Sequence, residues 1–350
     1  MNRHHIISKV ILFMAAMTAF AEAQTEVPKL FRAQKDGKVG FIDRTGKVVI
    51  PLKYMNMKPS LRFSEGLAAV ATANEGWTYI DETGKTAIKL GFRYADAGDF
   101  SEGLACVRAP GGFGYIDKKG QEVIKPQYVQ AFDFSEGYAS VSKENQRPVF
   151  LDTSGKLAFP EYVPTMQSFS EGLAFVSLAS DHRMVPTGGY IDLTGKLVVP
   201  CEYIFSANPC TEGVVFVTKN GECMGLNTNG EVVIKTGFQQ LRPFSDGLAQ
   251  ATVRGVWGYI DHNGKTVIDA KYQSCARFCE GMAGVKVNGK WGFIDKTGKE
   301  VIEPRFVLPA SWEKNKFRIP QFHGGLAEMP EGTKAGYIDK TGAWVWPPSE

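Results

Sequence analysis

Hydrophobic residues recur along the chain in short runs separated by turn residues. Between Gly281 and Ile302 three apolar runs are separated by Asn288-Gly289 and by an Asp-Lys-Thr-Gly-Lys segment that contains Gly298. Asn-Gly between apolar runs is typical of a tight β-hairpin, because both residues tolerate positive φ. In the second turn the Asp side chain accepts backbone N–H bonds, and Gly298 is expected to adopt the left-handed conformation. The pattern predicts three short antiparallel strands.

The same pattern occurs nine times. The residues equivalent to the aspartate of this turn are Asp43, Asp81, Asp117, Asp152, Asp192, Asn227, Asp261, Asp295 and Asp339. Their mean spacing is (339 − 43)/8 = 37 residues, which is typical of solenoids, propellers and repeat arrays. A second phrase, Phe-Ser-Glu-Gly-Leu-Ala, lies between them, with full copies starting at Phe63, Phe100, Phe134 and Phe169 and looser ones at Cys210, Phe244, Phe278 and Phe322. The sequence therefore predicts an all-β tandem array of about nine three-stranded antiparallel meanders.

The arrangement of the units is predicted from the faces of the strands and from the chain ends. In Trp291-Gly292-Phe293-Ile294 both faces of the strand are apolar, so each meander should lie between two neighbours, with the glycine allowing close approach. The chain starts in the first strand of a unit, at 29–35, and ends in the third strand of another, at 343–346. No terminal strand is left to complete a sheet across a closure. This favours an open, superhelical, solenoid-like stack, with a closed propeller-like ring as the alternative.

The first residues predict export. Arg3 and Lys9 flank an apolar run that ends in Ala21-Glu22-Ala23, so residues 1–23 are interpreted as a signal peptide and residues 24–350 as a single array. Export would place the protein in the periplasm, on the cell surface or outside the cell. The remainder has 40 − 2 = 38 Lys+Arg and 37 − 1 = 36 Asp+Glu, which predicts no nucleic-acid partner. It contains no apolar run of about 18 residues, so no membrane span is expected after cleavage.

The Trp-Gly-Phe-Ile-Asp-x-x-Gly-Lys phrase with the trailing Phe-Ser-Glu-Gly-Leu-Ala resembles the bacterial WG, or KWG, repeat family over residues 30–346. The resemblance implies a β-rich repeat fold with no general activity. The Trp-Gly pair is complete only at Trp257-Gly258 and Trp291-Gly292. The tryptophan position therefore calls for a bulky side chain and not for the chemistry of indole.

The recurrent carboxylates are the first candidates for chemistry. Each turn has one Asp and lacks the clustered oxygen ligands of a calcium loop, so turn capping is the favoured role of Asp43, Asp81, Asp117, Asp152, Asp192, Asp261, Asp295 and Asp339. The glutamates of the second phrase are interpreted as loop carboxylates that bond backbone N–H groups. Histidine spacing predicts no metal site, and no nucleophile or phosphate-loop motif occurs. The sequence thus predicts neither an enzyme nor a cofactor.

Two local features are candidates for function. Cys201 and Cys210 flank one connection and are a candidate disulfide in an exported protein, with buried free thiols as the alternative. The longest insertion, at 308–321, contains candidate binding residues, because an exposed tryptophan among cations can stack on a sugar or grip a partner: Trp312, Lys314, Lys316 and Arg318. An irregular loop that pads a terminal unit is the alternative.

Taken with the absence of catalytic motifs, the repeated surface predicts an exported, non-catalytic binding or scaffolding protein. A protein partner is favoured. Carbohydrate or cell-wall binding through aromatic residues is the alternative, and an enzyme whose site is assembled from loops of different units is a third hypothesis. The oligomeric state and the identity of the partner are not predicted.

Overall fold

The computed structural model describes residues 29–58, 61–165, 168–178, 187–204, 208–235, 237–310, 312, 319–332 and 334–349, so the leader predicted at 1–23 lies outside them. These residues form antiparallel strands arranged in nine successive units.

Unit 1 contains β1 (Phe31–Lys35), β2 (Lys38–Ile42) and β3 (Val48–Met55), and unit 2 contains β4 (Leu67–Thr72), β5 (Gly76–Asp81) and β6 (Thr86–Gly91). Unit 3 contains β7 (Asp96–Ser101), β8 (Leu104–Ala109), β9 (Gly112–Asp117) and β10 (Glu122–Tyr128). Unit 4 contains β11 (Gln130–Ala131), β12 (Tyr138–Ser142), β13 (Val149–Asp152) and β14 (Leu157–Ala158). Unit 5 contains β15 (Tyr162–Pro164), β16 (Leu173–Leu178), β17 (Thr187–Asp192) and β18 (Leu197–Ile204).

Unit 6 contains β19 (Val214–Lys219), β20 (Glu222–Asn227) and β21 (Val232–Lys235). Unit 7 contains β22 (Gln240–Leu241), β23 (Ala249–Val253), β24 (Val256–Ile260) and β25 (Thr266–Tyr272). Unit 8 contains β26 (Ser274–Cys275), β27 (Met282–Val287), β28 (Lys290–Asp295) and β29 (Glu300–Phe306). Unit 9 contains β30 (Phe322–His323), β31 (Leu326–Glu331), β32 (Lys334–Asp339) and β33 (Trp344–Ser349).

The predicted meander is present in every unit, and its pairing defines two faces of the array. In unit 2, Leu67 pairs with Asp81 at one end of the sheet and Thr72 pairs with Gly76 at the other. The Asp turn and the Ser-Glu-Gly turn therefore lie together on one face, called here the turn face. The β-hairpins and the ends of the third strands lie on the opposite face, called the hairpin face.

Within the described residues, six units have a strand that the sequence analysis missed. This leading strand pairs with the first strand of the meander and is two to six residues long. It lies in the connections between units, where such short segments carry too few residues for a two-residue alternation to be recognised. Most units are thus four-stranded sheets, as in propeller blades.

The array is closed, so the prediction of an open solenoid-like stack is wrong and the alternative ring is correct. In successive units the glycine of the Asp turn approaches the third strand of the preceding unit, as Gly84 approaches Ile50. Gly46 of unit 1 makes the equivalent approach to Val345 of unit 9. The rings of Phe31 and Tyr337 also lie 5.7 Å apart across this junction. Nine units closed in this way form a nine-bladed β-propeller.

Closure does not require a shared strand, because the two end units present complementary apolar faces. Phe31, Ala33 and Ile42 of unit 1 form a buried cluster with Leu326 of unit 9. Burying this surface removes it from water at both ends of the array, a gain that an open stack does not have.

The glycine of the Trp-Gly pair has a different role from the one predicted. A Cβ at Gly292 would come within 3.0 Å of the backbone of Ile302 and Pro304, which belong to the third strand of the same unit. The pairing register shifts there, so the third strand bulges toward the second. The glycine accommodates this bulge within its own sheet, not the approach of a neighbouring unit.

Aromatic residues fill the space between units, as predicted. The ring of Tyr79 in unit 2 lies 4.8 Å from that of Phe100, which leads into unit 3, and the Tyr79 hydroxyl donates to the carbonyl of Gly98 at 2.8 Å. Tyr115 and Tyr259 repeat both contacts with their next units. Units 2, 3 and 7 are therefore anchored to their successors by aromatic packing and by a hydrogen bond.

Candidate functional site

The recurrent turn aspartates cap their own turns, as predicted. In the Asp295 turn, Oδ1 accepts from the backbone N–H groups of Thr297 at 2.9 Å and Lys299 at 3.1 Å, and Gly298 has φ +82°. The equivalent pair of bonds is made by Asp43, Asp81, Asp117, Asp152, Asp192, Asp261 and Asp339. The hydroxyl of Thr297 also donates to Asp295 and lowers the pKa of its carboxyl group. The pKa is likewise lowered at Asp43, Asp81, Asp152 and Asp339.

The glutamates of the second phrase accept backbone N–H bonds, as expected, and their partners lie in the neighbouring unit. Glu171 of unit 5 accepts from the N–H groups of Glu212 at 2.8 Å and Gly213 at 2.7 Å, both in unit 6. Equivalent bonds to the next unit are made by Glu65, Glu102, Glu136, Glu212, Asp246 and Glu280. These carboxylates form a chain of contacts from unit 2 to unit 9, which we call the carboxylate chain. The recurrence of Glu-Gly, with Asp246-Gly247 in unit 7, was the sequence signal for it.

Several carboxylates of this chain also meet a cation from the next unit. Lys118, Lys296 and Lys340 lie 3.0, 2.6 and 3.3 Å from Glu65, Asp246 and Glu280. Each lysine directly follows a turn aspartate. These partly exposed pairs therefore join the turn face of one unit to that of the next.

Side chains from distant units meet near the centre of the ring. Arg62, which leads into unit 2, forms a 2.9 Å ion pair with Asp99. Burial raises the pKa of Asp133, Asp99 raises it further, and Arg62 opposes this rise. Arg62 also helps to lower the pKa of His323 in unit 9, although burial and Arg277 contribute more. The blades of a propeller surround a central opening, and these groups belong to the segments that begin units 2, 4 and 9.

This opening contains a pair of groups that could be mistaken for catalytic residues. The Sγ atom of Cys279 lies 3.5 Å from Nδ1 of His323. Burial raises the pKa of the Cys279 thiol and lowers that of the His323 imidazole. The pair is therefore uncharged at neutral pH and lacks the thiolate of an activated cysteine. No group of three or more metal-ligating side chains occurs within the described ranges.

The remaining candidates from the sequence are placed differently from expectation. Trp312 is buried in the core of unit 9, in a cluster with Phe322 and Met329, so the prediction of an exposed indole is wrong. Lys314, Lys316 and Arg318 lie outside the described residues, and their binding role stays a prediction.

The candidate Cys201–Cys210 disulfide is not formed. The Sγ atom of Cys201 contacts the carbonyl of Val176 at 3.8 Å, and that of Cys210 contacts Glu171 at 3.7 Å. Burial and the nearby Glu171 carboxylate raise the pKa of Cys210 to about 12. The alternative of a buried thiol fits Cys210, whereas Cys201 is only half-buried.

The hairpin face carries the variable part of the units. Among the hairpins whose residues are all described, the shortest are the two-residue turns Arg254-Gly255 and Asn288-Gly289, and a longer one is the loop at 143–148. Asn288 and Gly289 have φ values of +49° and +78°, as the predicted tight turn requires. A pocket of about 370 Å³ opens beside the unit 7 hairpin, lined by Phe238, Ala251, Val253, Arg254, Val256 and Asp269 among others.

Comparison with known protein families matches the family described as WG containing repeat at residues 40–74, 77–109, 113–146, 189–223, 226–257, 257–291 and 291–307. These segments span more than half of the 350 residues. The chain belongs to the WG-repeat family. The resemblance drawn from the repeated phrase is thereby confirmed. A search of curated proteins found no match for this WG-repeat protein.

Among solved structures, a crystal structure of the eukaryotic initiation factor has 12% identity, a TM-score of 0.58 and coverage of 93% of this chain and 96% of that chain. The Dos1 propeller has 12% identity, a TM-score of 0.44 and coverage of 84% and 94%. BamB from Moraxella catarrhalis has 13% identity, a TM-score of 0.38 and coverage of 78% and 90%. The first likeness supports the overall fold alone. In the described part of the WG-repeat protein no helix is long and apolar enough to span a membrane.

Proposed function

We propose that this WG-repeat protein is exported and acts without catalysis as a scaffold that binds protein partners. The observation that carries the proposal is the separation of the recurrent residues from the variable ones. Turn aspartates cap the turns, and the carboxylate chain and inter-unit aromatics hold the ring together. The hairpins that differ between units lie side by side on one face. Variable loops on a rigid repeated frame are typical of adaptable binding surfaces.

The proposal of a non-catalytic role is supported by how the reactive groups are used. The carboxylate of Glu171 accepts backbone N–H groups of the next unit, so its hydrogen-bonding capacity serves cohesion of the ring. Cys279 and His323 are both uncharged at neutral pH, which disfavours nucleophilic chemistry.

Carbohydrate or cell-wall binding is the second candidate, and it has less support. Stacking on a sugar needs an exposed aromatic face. Trp291 and Trp312 are 2% and 6% exposed, while Phe92 at 73% is an exception. Most large aromatic side chains of this ring are used for packing between units.

Export is tested by expressing the whole chain with its own leader and sequencing the N-terminus of the released protein. We expect the first residue to be Gln24, because Ala21-Glu22-Ala23 ends the apolar run. Released protein that begins at Met1, or protein that stays in the cytoplasm, would contradict the proposal.

The partner class is tested by cross-linking the mature chain to extracts of the producing cell and identifying retained proteins by mass spectrometry. The matched control is a ring whose described hairpin turns are all rewritten as Asn-Gly, the pair found at Asn288-Gly289. It keeps the cohesive residues and removes the variable surface. Proteins retained by the native ring and not by the control support the proposal. A glycan array that binds the native ring while no protein is retained would favour the carbohydrate hypothesis instead.

A further inference from the structure

The hairpin face of units 7 and 8 differs from the rest of that face in its charge. The charged side chains at its hairpins and third-strand ends are cations: Arg254, Lys271, Lys286, Lys290 and Arg305, the last of which donates to the carbonyl of Gly342 in the Asp turn of unit 9. The carboxylates Asp269 and Glu303 lie two residues earlier along the third strands. The overall charge of about +2 for the mature chain conceals this local excess, because cations and carboxylates are unevenly distributed over the ring.

These cations are neighbours in the β-sheet ladders and their connection. Arg254 lies in the hairpin turn between the paired residues Val253 and Val256. Lys271 precedes Tyr272, which pairs with Trp257 next to this hairpin. The next residue, Gln273, donates its N–H to the carbonyl of Lys286 and accepts from Gly289 N–H at 2.8 Å. We call the surface formed by Arg254, Lys271, Lys286 and Lys290 the basic sector.

Three cations of the basic sector, Arg254, Lys271 and Lys290, are available to a partner. Arg254, Lys271 and Lys290 are exposed and form no salt bridge with any residue in the described ranges. By contrast, Arg93 is 2.7 Å from Glu122 and Lys219 is 2.7 Å from Glu202, so these two cations are already paired with carboxylates.

An apolar pocket adjoins the basic sector. The pocket of about 370 Å³ has Val253 and Val256 of the unit 7 hairpin in its lining, together with Ala251 and Ala270, and the charged side chains of Arg254 and Asp269 also line it. Phe238, in the connection between units 6 and 7, contributes a further apolar side chain. This volume is sufficient for a large apolar side chain.

The aromatic residues at this surface are covered by cations. The Lys271 ammonium lies 5.4 Å from the ring centre of Tyr272, and the Arg242 guanidinium lies 4.2 Å from that of Trp257. The platforms on which a sugar or a nucleic-acid base would stack are therefore occupied. The pocket and the free cations together match a segment that combines an apolar side chain with carboxylates.

We propose that the basic sector and this pocket bind an acidic peptide segment of a protein partner, with an aliphatic or aromatic residue in the pocket and flanking carboxylates on Arg254, Lys271 and Lys290. This inference rests on the proposed scaffold function and specifies its partner. Charge attraction increases the association rate, and the apolar anchor fixes the position of the segment.

The probe is a fluorescein-labelled peptide with one leucine between two runs of glutamate, and binding to the mature chain is measured by fluorescence anisotropy. The combined substitutions Lys271→Glu and Lys290→Glu should weaken binding at least about tenfold, because attraction becomes repulsion. The matched control, Lys85→Glu with Lys156→Glu on the turn face, makes the same charge change among exposed lysines and should weaken binding less than about twofold. Circular dichroism of each variant verifies the fold.

The contribution of the pocket is measured separately. Replacing the peptide leucine by glycine should weaken binding, and so should Ala270→Trp, which fills the pocket without a change of charge. Equal binding of the leucine and glycine peptides, equal losses in both lysine pairs, or equal competition by dextran sulfate or double-stranded DNA would overturn the proposal. The milder Arg254→Gln and Lys290→Gln variants give the same test if the reversed pair does not fold.

Failure of this inference is distinguishable from failure of the scaffold function. If a partner identified by cross-linking is still retained by the Lys271→Glu, Lys290→Glu ring, the acidic-segment inference is wrong and the scaffold function stands. If the native ring retains no protein at all, the scaffold function itself is wrong.

Discussion

Ring closure predicts that an alanine at Gly46 is much more costly than an alanine at an equivalent glycine with no close neighbour. Gly46 and Gly281 have nearly the same φ, +83° and +84°, so replacement by alanine strains the backbone equally. A Cβ at Gly281 has no atom within 4 Å, whereas one at Gly46 would come within 3.0 Å of the backbone carbonyl of Val345 across the junction. The difference between the two substitutions therefore measures contact between units 1 and 9.

The magnitudes follow from these two contributions. The left-handed backbone costs alanine about 1–2 kcal/mol at either position. The added carbon at Gly46 must also displace a backbone atom, a form of overpacking that costs about 1–3 kcal/mol more. The reduced entropy of the unfolded chain affects both substitutions alike and cancels in the comparison. We expect Gly281→Ala to lower the free energy of unfolding by about 1–2 kcal/mol and Gly46→Ala by about 2–5 kcal/mol.

The assay is urea unfolding of the two variants, followed by tryptophan fluorescence, with the slope of the transition compared to that of the native chain. Gly84→Ala is the intermediate control, because its Cβ would meet only side-chain atoms of Ile50, the nearest at 3.3 Å. In an open array the turn of unit 1 would have no neighbour on this side. If Gly46→Ala and Gly281→Ala agreed to within about 0.5 kcal/mol, the close contact at the junction would be refuted.

Three further predictions concern the turns, the central opening and the carboxylate chain. Gly298→Val should destabilise the protein by more than about 1 kcal/mol, because a β-branched residue is strained at φ +82°, whereas Gly298→Asn should cost less in the same thermal melts. Burial raises the folded-state pKa of Asp133, so ionisation of this carboxyl group destabilises the folded state as the pH rises. Asp133→Asn should therefore raise the free energy of unfolding at neutral pH and leave it unchanged below about pH 3. An equal gain at both pH values would contradict this cause. Glu171→Gln should lower the free energy of unfolding by about 1 kcal/mol, because an amide replaces a carboxylate that accepts from two N–H groups. The control is Glu144→Gln on an exposed hairpin. If urea unfolding shows the same loss for both variants, the role of the carboxylate chain is contradicted.

The structure of each turn could be predicted from sequence because its determinants are local. Asp295 and Gly298 specify a turn within a few residues, and the observed bonds and φ values agree with this. The recurrence of the glutamates was also evident, but their partners were not. A carboxylate can satisfy N–H groups of its own loop or of a neighbour, and only the juxtaposition of units 5 and 6 places Glu171 beside Gly213.

In the candidate site, too, local features could be predicted from sequence and contacts between distant residues could not. The sequence analysis singled out Trp312 by composition, yet the fold buries it among Phe322 and Met329. The sequence did not indicate that Arg254 and Lys271 belong to one surface, because they lie 17 residues apart and the net charge of the chain is small. They became neighbours only when β24 paired with β25.

The sequence by itself determined an all-β chain of nine meanders, because hydrophobic alternation and turn chemistry act over a few residues and repeat in phase. Tertiary structure decided that the chain closes into a ring. Closure depends on the small rotation that each unit adds, summed over nine units, and on whether two apolar end faces then meet. That sum is not encoded in any one turn, and the contact of Gly46 with Val345 exists only once all nine units are in place.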